Sequence, residues 1–137
     1  MPAEHFNNFR KLFPFSCIDL IVLNEENKFL LVRRNIPPYK GKWCLPGGII
    51  RYGEKMSNAI HRVAQNELGI KVELMREVGF FEKIFQGRHD ISHCFLVKPK
   101  SQIIKLDFQA TGATFFSQVP KQIALFHKKM IEKSRIM

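Results

Sequence analysis

The hydrophobic and polar positions along the first third of the chain predict one helix followed by two strands. Residues 3–13 place apolar side chains at helical spacing among polar ones, which predicts a short amphipathic helix that Pro14 stops. Residues 17–23 and 29–34 are apolar runs on either side of a polar turn, residues 24–28. This arrangement predicts a β-hairpin.

The rest of the chain alternates strand-like and helix-like segments. After a loop that two prolines and a glycine impose, residues 44–54 predict a short strand that breaks into a glycine-rich loop. Residues 56–68 carry apolar side chains on one helical face, with Gly69 as a C-terminal stop. Further strands are predicted over 71–85 (one bent strand or two), 90–99 and 111–117, and a basic helix follows them. Mixed strands with a central and a terminal helix predict an α+β sandwich.

Length and composition narrow the class of protein. A chain of 137 residues is the usual size of one domain, so we expect a single domain over 1–137. Hydrophobic residues make up 45% and charged residues 25%, which excludes wholesale disorder. Neither a membrane-spanning apolar run nor a secretory signal is apparent, so no membrane association is expected. Three cysteines without CxxC spacing are typical of reduced thiols, which predicts a cytoplasmic protein.

The charge favours an anionic partner. The formal net charge is +10, and a surface this positive attracts nucleotides, phosphorylated small molecules, nucleic acid or anionic lipid. The basic terminal helix fits RNA or membrane binding, but such a face is more often simply solvated, so nucleic acid is the less favoured partner.

The segment from Gly47 to Ile70 carries the candidate chemistry. A glycine loop here leads into a helix N-terminus, where backbone groups can approach a phosphate or a metal closely because glycine lacks a Cβ. On the helix, positions 63, 66 and 67 share one face, and Glu67 supplies that face with a carboxylate. One carboxylate together with substrate phosphates is a common way to hold Mg²⁺.

These residues resemble the signature of the Nudix hydrolases. That signature is Gly, five residues, Glu, seven residues, Arg-Glu, an aliphatic residue, any residue, Glu-Glu, any residue, Gly and an aliphatic residue. The matching positions here are Gly48, Glu54, Arg62, Glu67, Gly69 and Ile70. The resemblance implies the Nudix fold, an α/β/α sandwich with a mixed β-sheet, and a hydrolase that uses Mg²⁺. Glu54 and Arg62 are interpreted as a structural ion pair that holds the loop on the helix.

Two of the three helix carboxylates of that signature are absent. Val63 replaces the glutamate after Arg62, and Asn66 replaces the glutamate before Glu67. Valine neither ligates a metal nor takes a proton. The remaining carboxylate is expected to hold one Mg²⁺ weakly until a diphosphate adds its oxygens.

The reduced pattern is similar to that of the GDP-mannose mannosyl hydrolase branch, which displaces the nucleoside diphosphate from the sugar carbon. That resemblance implies that the Gly47 carbonyl, Glu67 and Gln109 coordinate Mg²⁺. It also implies that Arg34 neutralises charge on the leaving group. Phe6 would lie against the nucleobase of the substrate. Asp19 would face the sugar, although a buried structural aspartate in a strand fits the sequence equally well.

The general base is the main departure from that branch. The branch has a histidine directly after the glutamine, whereas Ala110 follows Gln109 here. The sequence offers three other candidates, His89, Asp90 and His93, because an imidazole titrates near neutrality. We take His93 as the candidate catalytic histidine.

Three functions therefore stay open. The first is a hydrolase of a nucleotide sugar such as GDP-mannose, with attack at the sugar carbon. The second is a pyrophosphohydrolase of a nucleoside diphosphate compound, and the third is a Nudix domain that binds nucleotides or RNA without turnover. Apolar residues within 6–15 also suggest a homodimer.

Overall fold

The computed structural model describes residues 2–35, 39–100 and 112–136, and three helices and seven strands lie within those ranges. In chain order they are α1 (Ala3–Leu12), β1 (Phe15–Val22), β2 (Phe29–Arg33), β3 (Trp43–Cys44), β4 (Gly47–Ile49), α2 (Met56–Leu68), β5 (Val72–Phe85), β6 (Arg88–Pro99), β7 (Ala113–Phe116) and α3 (Leu125–Ser134). The predicted bent segment 71–85 is therefore a single strand, with irregular pairing near Leu74 and Glu77. No helix in these described ranges has the length and apolar character needed to cross a bilayer.

The strands form two sheets. The first has the order β4-β1-β6-β5 and is mixed, because β1 runs parallel to β6 while the other pairs are antiparallel. The second has the order β3-β2-β7 and is antiparallel.

The predicted hairpin of residues 17–23 and 29–34 is wrong. Its two strands belong to different sheets, and a single bridge between Leu23 and Phe29 joins them next to the turn. The reason is burial, because β1 is buried at every position except Ser16. A strand that is apolar on both faces needs neighbours on both edges and cover on both sides, which a two-stranded hairpin does not supply.

Two apolar clusters hold the layers together. Residues from both sheets pack against α2 in one cluster and against α3 in the other. Along β1, Ile18 and Leu20 belong to the α2 cluster, while Ile21 belongs to the α3 cluster, as the alternation of side chains along a strand requires. The predicted α/β/α sandwich with a mixed sheet is confirmed.

Helix α2 has the bounds that the sequence predicts. Gly69 adopts the left-handed conformation, with φ 63°, and its N–H bonds back to the carbonyl oxygens of Ala64 and Gln65. Glycine ends the helix here because it takes a positive φ without a Cβ clash. Glu67 consequently lies on the final turn, next to the cavity described below.

The cysteines match the expectation of reduced thiols. Cys17, Cys44 and Cys94 are all buried and free. Burial raises the pKa of the Cys17 thiol to about 12 and that of Cys44 to about 11, so both are protonated at neutral pH.

Candidate active site

A cavity of about 350 Å³ lies between the two sheets. Its walls come from β1, the segment joining β2 to β3, β4, the end of α2, the β5–β6 hairpin and α3. Four cationic and three acidic side chains of the described chain line it: Arg33, Arg34, Lys83, Arg88, Asp19, Glu67 and Asp90. A cavity with this surplus of positive charge suits an anionic ligand.

The glycine loop brings β4 into close contact with β1. Gly47 pairs with Asp19, and a Cβ on Gly47 would collide with the Asp19 carboxylate and lie 2.6 Å from the Ile18 carbonyl oxygen. Gly48 faces α2, where a Cβ would lie 3.2 Å from Cγ2 of Val63. Glycine at both positions therefore lets the backbone of β4 lie between the buried carboxylate and the helix.

The Glu54–Arg62 pair links the loop to α2. Arg62 Nε donates to Glu54 Oε2 at 2.7 Å, its Nη2 donates to Oε1 at 3.0 Å, and the same Nη2 reaches the Ile49 carbonyl oxygen at 2.9 Å. The Arg62 guanidinium holds the pKa of the Glu54 carboxyl down at about 2. Glu54 is therefore committed to this bidentate bond, as the sequence interpretation expects.

Glu67 is the helix carboxylate that reaches the cavity. Partial desolvation raises the pKa of its carboxyl, and the nearby Arg34 opposes that shift. Val63, one turn earlier, is buried in the α2 cluster, and Asn66 is exposed. Among the described residues no group of three or more His, Cys, Asp or Glu side chains is arranged to hold a metal ion.

The donor set nevertheless fits one weakly held Mg²⁺. Glu67 and Gly47 border the same cavity, and a carboxylate and a backbone carbonyl are both the hard oxygen donors that Mg²⁺ takes. Two protein oxygens leave the remaining octahedral positions for water and phosphate, which is the usual arrangement when the substrate is a diphosphate.

Two adjacent arginines border the cavity. Arg33 Nη2 donates to Gln122 Oε1 at 3.1 Å, its Nε donates to the Gly41 carbonyl oxygen at 3.3 Å, and its guanidinium lies 5.4 Å from the centre of the Trp43 ring. Arg34 also borders the cavity, and its positive charge acts on Glu67. Of the two, Arg34 has the closer electrostatic relation to the carboxylate end of the cavity.

A buried polar cluster also lines the cavity. Ser92 Oγ donates to Asp19 Oδ2, and His127 Nε2 lies 3.5 Å from Asp19 Oδ1. Burial raises the pKa of Asp19 to about 7, although the Ser92 bond and Lys83 oppose the shift. His127 Nδ1 accepts the Leu45 N–H at 3.0 Å, so the neutral imidazole carries its proton on Nε2, the nitrogen beside Asp19.

The structure brings five of the predicted site residues together. Arg34, Asp19, Gly47, Gly48 and Glu67 all line the cavity. Gln109 and its neighbour at position 110 lie outside the described residues.

Phe6 and His93 do not line the cavity. The Phe6 ring stacks on Phe15 with 5.0 Å between centroids. On β6, side chains alternate, and Asp90 and Ser92 face the cavity. His93 therefore points to the opposite face of the sheet, and so does His89. The structure therefore does not place His93 in this cavity, and of the three candidate bases Asp90 borders it.

The sequence did not point to several of the cavity residues, among them Tyr39, Lys83, Arg88 and His127. Lys83 pairs with Asp90 across the β5–β6 hairpin and Arg88 lies two positions before Asp90 on β6, a pattern that becomes informative once the strand pairing is known. His127 comes from a helix that follows Asp19 by more than a hundred residues, and its surroundings in sequence are those of an ordinary basic helix.

The buried His127 predicts a pH dependence of stability. Burial lowers the pKa of this imidazole from 6.5 to about 3. In the unfolded chain this imidazole becomes protonated as the pH falls through 6.5, whereas in the folded chain it stays neutral down to about pH 3. The unfolded state therefore binds more protons in this range, and the free energy of unfolding falls as the pH drops below 6.5. We expect urea unfolding of His127→Gln, whose amide oxygen can accept the Leu45 N–H, to lose that contribution. Identical pH slopes for the variant and the unaltered protein would contradict the assignment.

Curated relatives cover most of the chain. The low-salt glycan biosynthesis protein Agl8 of Haloferax volcanii is 29% identical over 124 residues, which are 85% of this chain and 79% of that protein. The ADP-ribose pyrophosphatase of Methanocaldococcus jannaschii is 30% identical over 125 residues, which are 88% of this chain and 73% of that enzyme.

Solved structures agree on the fold. The MutT NUDIX hydrolase from Burkholderia pseudomallei superposes with a TM-score of 0.79 at 21% identity, covering 88% of this chain and 97% of its own. The NUDIX domain of Shewanella oneidensis NrtR, solved with ADP ribose, superposes with a TM-score of 0.71 at 20% identity, covering 98% and 97%. The sequence profile of the NUDIX domain matches residues 15–133, and the chain therefore belongs to the NUDIX domain family.

Proposed function

We propose that this protein is a Mg²⁺-dependent hydrolase of nucleotide sugars, of which GDP-mannose is the first candidate, and that water attacks the sugar carbon. One observation carries the proposal. A basic cavity contains a single helix carboxylate, Glu67, where the family signature has three. The coarser activity, hydrolysis of a nucleoside diphosphate derivative, follows from membership of the family.

The cavity's charges support a diphosphate ligand. In this proposal Glu67, the Gly47 carbonyl and Gln109 hold Mg²⁺ together with the diphosphate oxygens. The bound ion supplies charge neutralisation for the phosphates. Arg34 binds the leaving nucleoside diphosphate, a role that suits a guanidinium because it is always charged and forked.

The missing carboxylates favour attack at carbon over attack at phosphorus. Val63 is buried against Gly48 and Asn66 carries no charge, so α2 offers little to assemble several metal ions around a phosphorus atom. In the proposed reaction the water oxygen bonds to the anomeric carbon and the bond from that carbon to the β-phosphate oxygen breaks. The nucleoside diphosphate leaves with the bonding electrons, and the water's proton passes to a base, for which Asp90 is the candidate that borders the cavity.

Asp19 is assigned to the sugar end of the cavity. It is buried, bonded to Ser92 and adjacent to His127, so its carboxylate has a fixed orientation. The ring of Phe6 packs on Phe15 within one chain. We therefore assign Phe6 to a contact with the nucleobase only in an assembly of two chains.

A pyrophosphohydrolase is the second candidate, because the enzyme from Methanocaldococcus jannaschii that is 30% identical carries the name ADP-ribose pyrophosphatase. The glycan-related name of the Haloferax volcanii protein fits the nucleotide-sugar candidate instead. A domain that binds nucleotides or RNA without turnover is the third possibility, motivated by the net charge of +10.

We further propose a cytoplasmic homodimer. Helix α1 has no buried residue, and Phe9, Leu12 and Phe13 are 39%, 71% and 56% exposed. A second copy packing on this helix would cover them. Three buried free thiols accord with a reducing compartment.

Product analysis in ¹⁸O-water tests the proposed reaction. The protein is incubated with GDP-mannose, other nucleotide sugars and ADP-ribose, with and without Mg²⁺. We expect free sugar that carries the label, and unlabelled nucleoside diphosphate, in the presence of Mg²⁺. Label on a phosphate product would establish the pyrophosphohydrolase instead. Thermal stabilisation by a nucleotide without any product would leave the binding domain as the function.

A further inference from the structure

Four cations line the cavity, Arg33, Arg34, Lys83 and Arg88, and the proposed reaction uses one of them, Arg34. Arg34 acts electrostatically on Glu67, which lies at the end of α2. Lys83 acts on Asp19, the buried carboxylate assigned to the sugar, and both Lys83 and Arg34 act on the adjacent His127. Lys83 comes from β5 and borders the same cavity. The ligand of this cavity therefore meets a second cation beyond the one proposed for its diphosphate.

The charge of Lys83 is only loosely compensated by its nearest acid. Asp90 Oδ1 accepts from Arg88 Nε at 2.6 Å, which is a strong, short ion pair. The other oxygen of Asp90 is 3.7 Å from Lys83 Nζ, beyond the length of a hydrogen bond. One carboxylate thus faces two cations, and the arginine holds it more closely.

Aromatic rings keep the ammonium in place. Lys83 Nζ lies 4.6 Å from the centre of the Tyr39 ring and 5.0 Å from that of Phe126. Its side chain is 17% exposed. A lysine held between two ring faces has already lost most of its rotamer freedom before any ligand binds. An anionic ligand can therefore pair with the ammonium without a further loss of side-chain entropy.

We propose that Lys83 is a specificity-determining residue that binds a carboxylate on the sugar half of the substrate, so that the preferred substrates are nucleoside diphosphates of acidic sugars. The inference rests on the proposed function, since it names the substrate class of the same site. A carboxylate in place of a hydroxymethyl group adds one negative charge and almost no volume, which suits a cavity of about 350 Å³.

Binding and hydrolysis of matched nucleotides test the inference. UDP-glucuronate is compared with UDP-glucose, and GDP-mannuronate with GDP-mannose. Equilibrium binding is measured by calorimetry without Mg²⁺, so that the proposed reaction does not consume the ligand, and hydrolysis is measured separately with Mg²⁺. We expect the unaltered protein to bind the acidic member of at least one pair about tenfold more tightly, as one new charge-assisted hydrogen bond allows. Lys83→Met should remove that preference, and Lys83→Arg should keep most of it. Lys98→Met is the matched control, because Lys98 is an exposed residue that pairs with Glu73 at 3.7 Å.

The outcomes separate this inference from the proposed function. Hydrolysis of neutral nucleotide sugars without an acidic preference, or a preference that survives in Lys83→Met, would overturn the role of Lys83 and leave the reaction standing. A Lys83-dependent preference in binding without any hydrolysis would support the subsite and reject the proposed reaction. Failure of all four nucleotides to bind would overturn both. Circular dichroism and thermal unfolding establish that each variant is folded.

Discussion

Glu67→Gln is expected to lower Mg²⁺-dependent turnover by about two orders of magnitude, because even partners outside the ligand shell of a metal change affinity or activity by about 10–100-fold. Glu67 is the α2 carboxylate that borders the cavity, and Val63 and Asn66 offer no replacement on that face of the helix. The fold should be retained, since the Glu67 side chain is exposed rather than part of either apolar cluster. Turnover is measured across a Mg²⁺ titration with the nucleotide sugar that the labelling experiment identifies.

Glu73→Gln is the matched control for this change. It makes the same substitution at an exposed strand position whose partner is Lys98. If Glu67→Gln and Glu73→Gln retained equal activity at every Mg²⁺ concentration, the proposed metal site would be wrong. If high Mg²⁺ restored Glu67→Gln fully, the carboxylate would contribute to affinity for the ion alone.

Arg34→Ala should reduce kcat by about 100-fold and raise KM much less, since removing one preorganised donor from a developing negative charge costs about 10²–10³-fold in rate. The leaving nucleoside diphosphate gains charge as the bond to the sugar carbon breaks, so a cation beside it stabilises the transition state more than the bound substrate. Steady-state kinetics over a full range of substrate concentrations gives the two parameters separately.

Arg33→Ala is the comparison for Arg34. Arg33 is the adjacent residue of the same type, but Gln122 and the Gly41 carbonyl hold its guanidinium, and we expect a much smaller effect on kcat. Equal losses of kcat in the two variants would contradict a special role for Arg34. A rise in KM with kcat unaltered in Arg34→Ala would reduce its role to anchoring of the ground-state phosphates.

Local structure followed the sequence closely where one residue type decides it. Helix α2 begins and ends as its apolar spacing and Gly69 predict, because both the periodicity and the positive φ of the cap are properties of neighbouring residues. The pairing of the strands could not be predicted from neighbouring residues. The apolar runs of β1 and β2 were recognised, but their assignment to separate sheets depends on β6 and β7, which follow much later in the chain.

The candidate site likewise contains residues whose positions follow from local sequence and residues whose positions depend on strand pairing. Gly47, Gly48, Glu54, Arg62 and Glu67 belong to one continuous loop and helix, so their spacing in sequence already encodes their arrangement in space. The position of His93 outside the cavity could not be predicted in the same way, because the face on which a strand residue lies depends on pairing register, and a shift of one position reverses it. Ser92 bonds to Asp19 and Asp90 lines the same cavity, whereas His93 does not line it.

By itself the sequence determined the fold class, the glycine loop, the position of α2 and the absence of two carboxylates from it. All of these are contained in short stretches whose periodicity and residue types act locally. The tertiary structure alone decided the basic cavity, since Glu67, Lys83 and His127 reach the same cavity as Asp19 from three elements that are remote in the chain. Such convergence depends on which strands pair and which helix covers them, and those choices reflect burial of the whole core rather than any local pattern.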